Sequence, residues 1–355
     1  MNNTGTATLL QTIVEILNNN TNETLMQLEL NSLAAYCSDG MEHDSEKFLA
    51  AILIHAINRK FNPELLNNNI YDKQYEVSQI ELFDILIDKF PFVKYGQQMV
   101  NNSIIETMSH YDEVTLVDIG IGLGTQMVNI ISMASGLSNL KKVTIVGIEP
   151  FEDALNIAEA NIKAIKNTAH FEIEIVKIAD YAENVNFNSI PKLQGAVIVN
   201  ASLALHHIQQ KAQRLVTLQR IKAINPVAFF ITEPNVDHFE PDYKQRINNC
   251  YHHFIALFKV IDNLDIERKY KNGLKLFFGR EIEDILGKAE TDRFEKHEPA
   301  IEWIKMLTQS CFEIDEMQFK HVSLNETGLN IVMQPDGFIG FKYDTENILA
   351  IIKAI

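Results

Sequence analysis

Cysteine is scarce, with three residues among 355, at Cys37, Cys250 and Cys311. They are far apart and show no metal-ligand spacing, which argues against a disulfide framework and against a structural zinc site; they read as reduced, mostly buried thiols. Basic charge is also short: 31 Lys and Arg stand against 47 Asp and Glu, for a net charge of −16. A surface of that sign repels phosphate backbones, and the lysines and arginines are scattered among acids, so general nucleic-acid binding is not expected. Long apolar runs are missing, and no stretch reaches the length of a membrane span. The opening M-N-N-T-G-T-A-T-L-L has no basic region followed by an apolar core, so no signal peptide is read there. These absences together predict a cytoplasmic protein with no membrane partner.

What is present is a large core. Hydrophobic residues make up 46% of the chain, enough for one large α/β domain with additions or for two domains. Residues 1–110 show no strand pattern. Leu9–Leu17 and Phe48–Ile57 carry apolar residues at helical spacing, the second preceded by Asp44 and Ser45, either of which can cap a helix. Asn18–Asn20 and Asn67–Asn69 read as surface connections, and a helix is expected from Phe92 towards Met108. From Glu113 the texture changes. Strands at Val114–Asp118, Val143–Ile148, Phe171–Lys177, Ala196–Asn200 and Val227–Thr232 alternate with helices at Thr125–Ser135, Phe151–Ile165 and Ile208–Ile221. This alternation predicts a doubly wound, mostly parallel sheet with helices on both faces. Helical pattern then runs from Pro241 to Ser310, and Phe312–Phe319 with Gly337–Tyr343 reads as a closing antiparallel pair.

The first strand ends in V-D-I-G-I-G-L-G-T, residues 117–125. The dinucleotide fingerprint Gly-x-Gly-x-x-Gly fails in both registers, because the third glycine position holds Thr125 or Met127. The pattern is instead Asp-x-Gly-x-Gly-x-Gly, at Asp118, Gly120, Gly122 and Gly124. That spacing resembles the first motif of the class I S-adenosylmethionine-dependent methyltransferases. A backbone without Cβ atoms admits the cofactor's amino-acid end, and an acid at the strand end suits its ammonium. A glycine turn that only relieves crowding between strand and helix is the other reading. At the end of the second strand, Glu149 is placed to accept from both ribose hydroxyls. After the third, Asp180 is placed to accept from an adenine amino group, or is a solvated loop acid.

The wider sequence resembles the GRAS-domain family, known from plant transcriptional regulators and found also in bacteria. The blocks that carry the likeness are Asp88–Met108, Val114–Gln126, Val197–Ile208, Ile224–His238, Gly279–Ile285 and Arg293–Trp303, in the family's order. Plant members generally lack an intact glycine motif, whereas this chain keeps all three glycines and Glu149. The resemblance implies a Rossmann-like core of the methyltransferase type, residues 111–355. It further implies a helical cap built from residues 1–110 and an insertion at about 236–310, and it points to a bacterial member acting on small molecules.

Methyl transfer to a small molecule needs a held nucleophile, exclusion of water and often a proton acceptor. His206 matches the family's Leu-His position and can act as base near neutral pH, or be a helix-terminal structural histidine. Asn200 at the fourth strand end can contact the cofactor or orient the substrate. At the fifth, Glu233 can be a base or bind a cationic group, or be an acid satisfied by Arg or backbone donors; Asn235 and His238 follow on the same loop. Tyr251 and His252, on the helix Tyr243–Phe258, mix polar tips with apolar bodies, as a small-molecule pocket does, although an aromatic stripe also suits a core. Arg280 falls in a family block and is carried as a substrate contact, with buried pairing as its other reading. The leading expectation is a methyltransferase that uses S-adenosylmethionine, releases S-adenosylhomocysteine and holds its substrate between core and cap. A non-catalytic GRAS-type ligand- or protein-binding module is the alternative, a nicotinamide oxidoreductase is a distant third, and pairing to a homodimer through helical faces is compatible with the pattern.

Overall fold

The computed structural model describes residues 8–19, 22–61, 77–191, 193–315 and 328–355. In chain order the elements begin with helices α1 (Leu9–Asn19), α2 (Glu23–Ser38), α3 (Ser45–Phe61), α4 (Gln79–Lys89) and α5 (Pro91–Met108). The alternating part runs β1 (Glu113–Ile119), α6 (Thr125–Ala134), β2 (Lys142–Ile148), α7 (Glu152–Ile165), β3 (Glu172–Ile178), β4 (Ala196–Ser202), α8 (Lys211–Ala223) and β5 (Ala228–Pro234). Helices α9 (Tyr243–Asn263), α10 (Arg268–Gly287) and α11 (Ala300–Gln309) follow, then strands β6 (Leu329–Met333), β7 (Ile339–Tyr343) and β8 (Glu346–Ala354).

Two compact units divide this list. Unit 1 holds residues 1–90, 236–297 and 343–348; unit 2 holds 91–235, 298–342 and 349–355. Unit 1 is helical, with α3 at its centre. Nine of its residues from Phe48 to Ile57 are buried, because α1, α2, α9 and α10 all pack against it. A helix apolar all round needs such a surrounding. Asp44 does the capping at its start, its carboxylate accepting from the N–H groups of Glu46 (2.9 Å) and Lys47 (3.1 Å). Ser78 and Glu81 close a capping box on α4.

Unit 2 is built on a sheet of order β3-β2-β1-β4-β5-β8-β7-β6, parallel from β3 through β5, with β8 antiparallel to β5. Strands β1, β2, β4 and β5 are buried along almost their whole length, as parallel strands covered on both faces must be. Their apolar side chains join Leu218, Ile221, Trp303 and Leu307 in one core. The winding reverses between β1 and β4. That is the switch point, beyond whose carboxyl ends a ligand crevice forms in open α/β sheets.

The expected strands and helices of the alternating region appear within one to three residues. Four elements were not read from the sequence: α2, α4, β6 and β8. The end of the sheet also differs from expectation. Phe312–Phe319 forms no strand in its described part, where Ile314 makes an isolated bridge to Ala354, and its last four residues lie outside the described residues, as do Asn67–Asn69. The strand that pairs with β5 is β8, whose run I-L-A-I-I supplies the apolar edge. Cys37 and Cys250 are buried and Cys311 is exposed, all as free thiols. No helix of the described residues is long and apolar enough to cross a membrane.

Candidate functional site

The carboxyl ends of β1, β2 and β4, with the glycine loop that follows β1, carry six of the seven residues expected to hold a nucleoside cofactor; the seventh, Asp180, follows β3. Asp118 and Asn200 are register partners on adjacent strands, and the Asn200 Nδ2 donates to Asp118 Oδ1 at 2.7 Å. Both are 3% exposed. The network continues inward: Asn200 Nδ2 also reaches Gln126 Oε1 at 3.3 Å, and Gln126 Nε2 donates to Asn101 Oδ1 at 3.0 Å. Gln126 and Asn101 were not singled out from the sequence; an amide in the first turn after a glycine motif is the signal that could have found Gln126. With both Asn200 donor bonds directed at Asp118 and Gln126, its Oδ1 is left buried without a hydrogen-bond partner. Burial lifts the Asp118 carboxyl to about 7, with the Asn200 hydrogen bond opposing the rise and the Glu149 charge adding to it.

The three glycines serve different needs. All are left-handed, at φ +76°, +51° and +76° for Gly120, Gly122 and Gly124. A Cβ at Gly120 would lie 2.7 Å from the Ala204 Cβ, and one at Gly124 would lie 3.0 Å from the Ala158 Cβ and 3.1 Å from its Cα. Those two positions are bare because the protein's own chain approaches them. Crowding between strand and helix, the second reading of the motif, therefore accounts for two of the three. At Gly122 a Cβ would meet nothing within 4 Å, so the bare backbone there faces open space. Its N–H points at Glu149, whose Oε2 accepts at 3.3 Å, while Oε1 accepts from the Phe151 N–H at 3.4 Å. Glu149 thus stands beside the glycine loop, held by two long hydrogen bonds. Asp180 is committed locally: its Oδ1 accepts from the Tyr181 N–H and from Asn184 Nδ2, both at 2.8 Å.

His206 and Glu233 also come together. Glu233, 1% exposed, receives the N–H groups of Ala204 (3.2 Å) and Leu205 (2.8 Å) on Oε1 and faces His206 Nδ1 with Oε2 at 2.5 Å. Arg214, fully buried, donates to the His206 carbonyl at 2.6 Å and to Glu298 at 2.7 Å. The turn carrying His206 is entered through Leu203, a left-handed non-glycine residue at φ +55°. Strain of that kind collects at functional positions.

Most of the remaining candidates have partners of their own. Asn235 Oδ1 accepts from the Ala300 N–H at 2.8 Å, fixing the start of α11. His238 stands in unit 1, its Nδ1 2.8 Å from that of His297, with the His253 ring 5.9 Å away. Burial and the neighbouring histidines hold His238 well below its ordinary range; burial and His297 bring His253 to about 3. The Tyr251 hydroxyl donates to Glu46 at 3.2 Å, and the ring is buried. His252 and Arg280 are exposed, so the reading of Arg280 as a buried pair is corrected: its place on α10 turns it to solvent. A buried pair is formed within unit 2 by Arg214 with Glu298.

A model of the GRAS domain family matches residues 6–344. The chain belongs to that family. It is 22% identical over 274 residues to the GRAS family protein RAD1 of Lotus japonicus, covering 69% of this chain and 50% of that protein. It is 23% identical over 235 residues to the Scarecrow-like transcription factor PAT1 of Arabidopsis thaliana, covering 62% and 48%. The chain spans about half the length of the curated relatives it matches. The crystal structure of SCL7 from Oryza sativa superposes with a TM-score of 0.81 at 18% identity, over 99% of this chain and 100% of that one. This GRAS chain therefore shares the whole fold of that protein, at an identity that speaks for fold alone.

Proposed function

We propose that this GRAS-family chain binds S-adenosylmethionine at the carboxyl ends of β1, β2 and β4 and transfers its methyl group to a small molecule. The observation that carries the reading is Gly122, a left-handed glycine whose bare face meets open space beside the Glu149 carboxylate. Around it are two acceptors, the Asp118 carboxylate and the unpartnered Asn200 Oδ1, suited to the cofactor's ammonium. Glu149 accepts from the ribose in this reading, exchanging two long backbone contacts for shorter hydroxyl bonds.

When bound, the cofactor supplies an electrophilic methyl on a sulfonium. The chain's own part is to position the acceptor and take its proton. A carboxylate facing His206 Nδ1 selects the tautomer protonated there, leaving the basic lone pair on Nε2. Glu233, oriented by two backbone N–H groups, is then a positioning group and His206 the base.

The pH response tests this. At pH 6 Asp118 retains its proton and must lose it to pair with an ammonium, so affinity for S-adenosylhomocysteine rises through pH 7. Equilibrium dialysis at pH 6 and 8 reads the difference, and Asp118→Asn weakens binding and removes the pH dependence. Equal affinity at both pH values in the unaltered chain contradicts the reading. A second reading, a regulatory module that binds a ligand without turnover, is favoured by the transcription factor among the relatives. Incubation of a small-molecule extract with methyl-labelled cofactor separates the two: the enzyme transfers label and His206→Gln does not, whereas the module transfers none.

A further inference from the structure

Unit 1 gathers several cations around one carboxylate. Arg246 and Arg293 both direct Nη1 at a single oxygen, Glu290 Oε2, at 3.0 and 2.6 Å, and Lys296 Nζ lies 3.3 Å from the other oxygen. One carboxylate, 57% exposed, thus serves three cations. Arg246 is 7% and Arg293 1% exposed, and the Nε of each is buried with no hydrogen-bond partner. Lys60 adds a fourth cation. Burial lowers its pKa, and the Arg246 and Arg293 charges lower it further, more than Glu290 raises it. In a chain of net charge −16 such a gathering of cations is an exception.

Placement sharpens the point. Lys244 and Arg246 lie in the first turns of α9, which has no acid in its first turn; the Asp242 cap and Glu240, which accepts from the Asp242 N–H at 2.9 Å, precede it. Cations at a helix N-terminus add to its positive end, which favours an anion there. Beside them is a cavity of about 420 Å³ lined by Leu17, Met26, Phe61 and Tyr243, with Glu23, Asp242 and Lys244 also on its wall. Tyr243 joins cavity and cluster: the Lys60 ammonium sits 4.8 Å and the Arg246 guanidinium 5.9 Å from its ring centre.

We propose that this cluster is a binding site for an organic anion, a carboxylate carried on an apolar body. The carboxylate takes the Arg246–Arg293 fork, where Glu290 now stands as a placeholder, and the body lies along Tyr243 and Phe61 in the cavity. A planar carboxylate is the group the two guanidiniums already hold, and Arg293 Nη2 is held in place by the His238 and Glu295 carbonyls, at 2.6 and 3.3 Å. The site does not depend on cofactor binding in unit 2.

Calorimetric titration of the full chain at low ionic strength with sodium octanoate is the test, with octylammonium and inorganic phosphate as comparisons. Octanoate is expected to bind saturably and octylammonium not at all. Arg246→Gln weakens octanoate at least tenfold, Lys60→Ala weakens it severalfold should the arginine variant fail to fold, and Glu290→Gln tightens it severalfold by removing the competing carboxylate. A purely structural ion cluster would give no tightening. The proposal is overturned if octanoate does not saturate, if phosphate binds and octanoate does not, or if the variants leave its affinity unchanged.

Discussion

Each glycine of the motif makes a separate prediction. Replacing Gly122 with alanine costs only the left-handed backbone penalty, about 1 kcal/mol, because its surroundings are empty. The same change at Gly120 or Gly124 adds overlap with Ala204 or Ala158, for about 3 kcal/mol in all. Chemical denaturation reads these differences, and equal losses at the three positions would mean that the loop is packed alike throughout. Asp118 adds a linkage effect. Its folded pKa of about 7 exceeds the usual carboxyl value, so the native chain keeps a proton that the unfolded chain gives up. Stability from this group falls as pH rises from about 4 to 7, then levels; Asp118→Asn, which keeps an oxygen to receive Asn200, flattens that slope in denaturation curves. The spacing of Asp118, the glycines and Glu149 was legible in the sequence because strand ends fix it locally. The local capture of Asp180 by Tyr181 and Asn184 was not, since it depends on how one turn closes.

Among the elements, α8 and the segment leading into α11 are joined by charge buried in an apolar setting. Arg214 and Glu298 are 0% and 1% exposed, with the Arg214 guanidinium 4.9 Å from the Trp303 ring centre, and Lys211 also reaches Glu298. Truncating Arg214 to alanine strands the Glu298 carboxylate and costs about 3–5 kcal/mol, measurable as a shift in the denaturant midpoint. Replacing both with methionine and leucine restores much of the loss; a double variant as unstable as the single would show that the pair does more than answer its own charge. The parallel strands could be read because buried β-branched runs alternating with helices have few alternatives. α2 and β8 could not: α2 exposes Leu25, Leu28 and Tyr36, which blurs its helical period, and β8 is apolar almost throughout, so length and partner decide its state.

At the level of the molecule, the two units titrate in opposite senses. His238 and His253 are neutral and buried in unit 1, and their folded pKa values lie below the unfolded one. Their contribution is complete above about pH 6.5 and is lost as pH falls towards 3, while the Asp118 contribution in unit 2 grows as pH falls from about 7 to 4. His253→Gln therefore reduces the acid sensitivity of amide-exchange protection around α9, and Asp118→Asn changes protection around β1; both variants acting in the same sense would contradict the assignment. The division into a helical part and a wound sheet was visible in the change of texture near Glu113, yet α5 falls with the sheet, because its buried face packs on α6 and β5. The central claim is that the space at Gly122 receives the methionine-derived nucleoside. Isothermal titration with S-adenosylhomocysteine tests it most directly: one saturable site is expected in the unaltered chain, lost in Gly122→Ala while the fold persists. Absence of saturable heat at millimolar ligand, or undiminished binding in that variant, would contradict it.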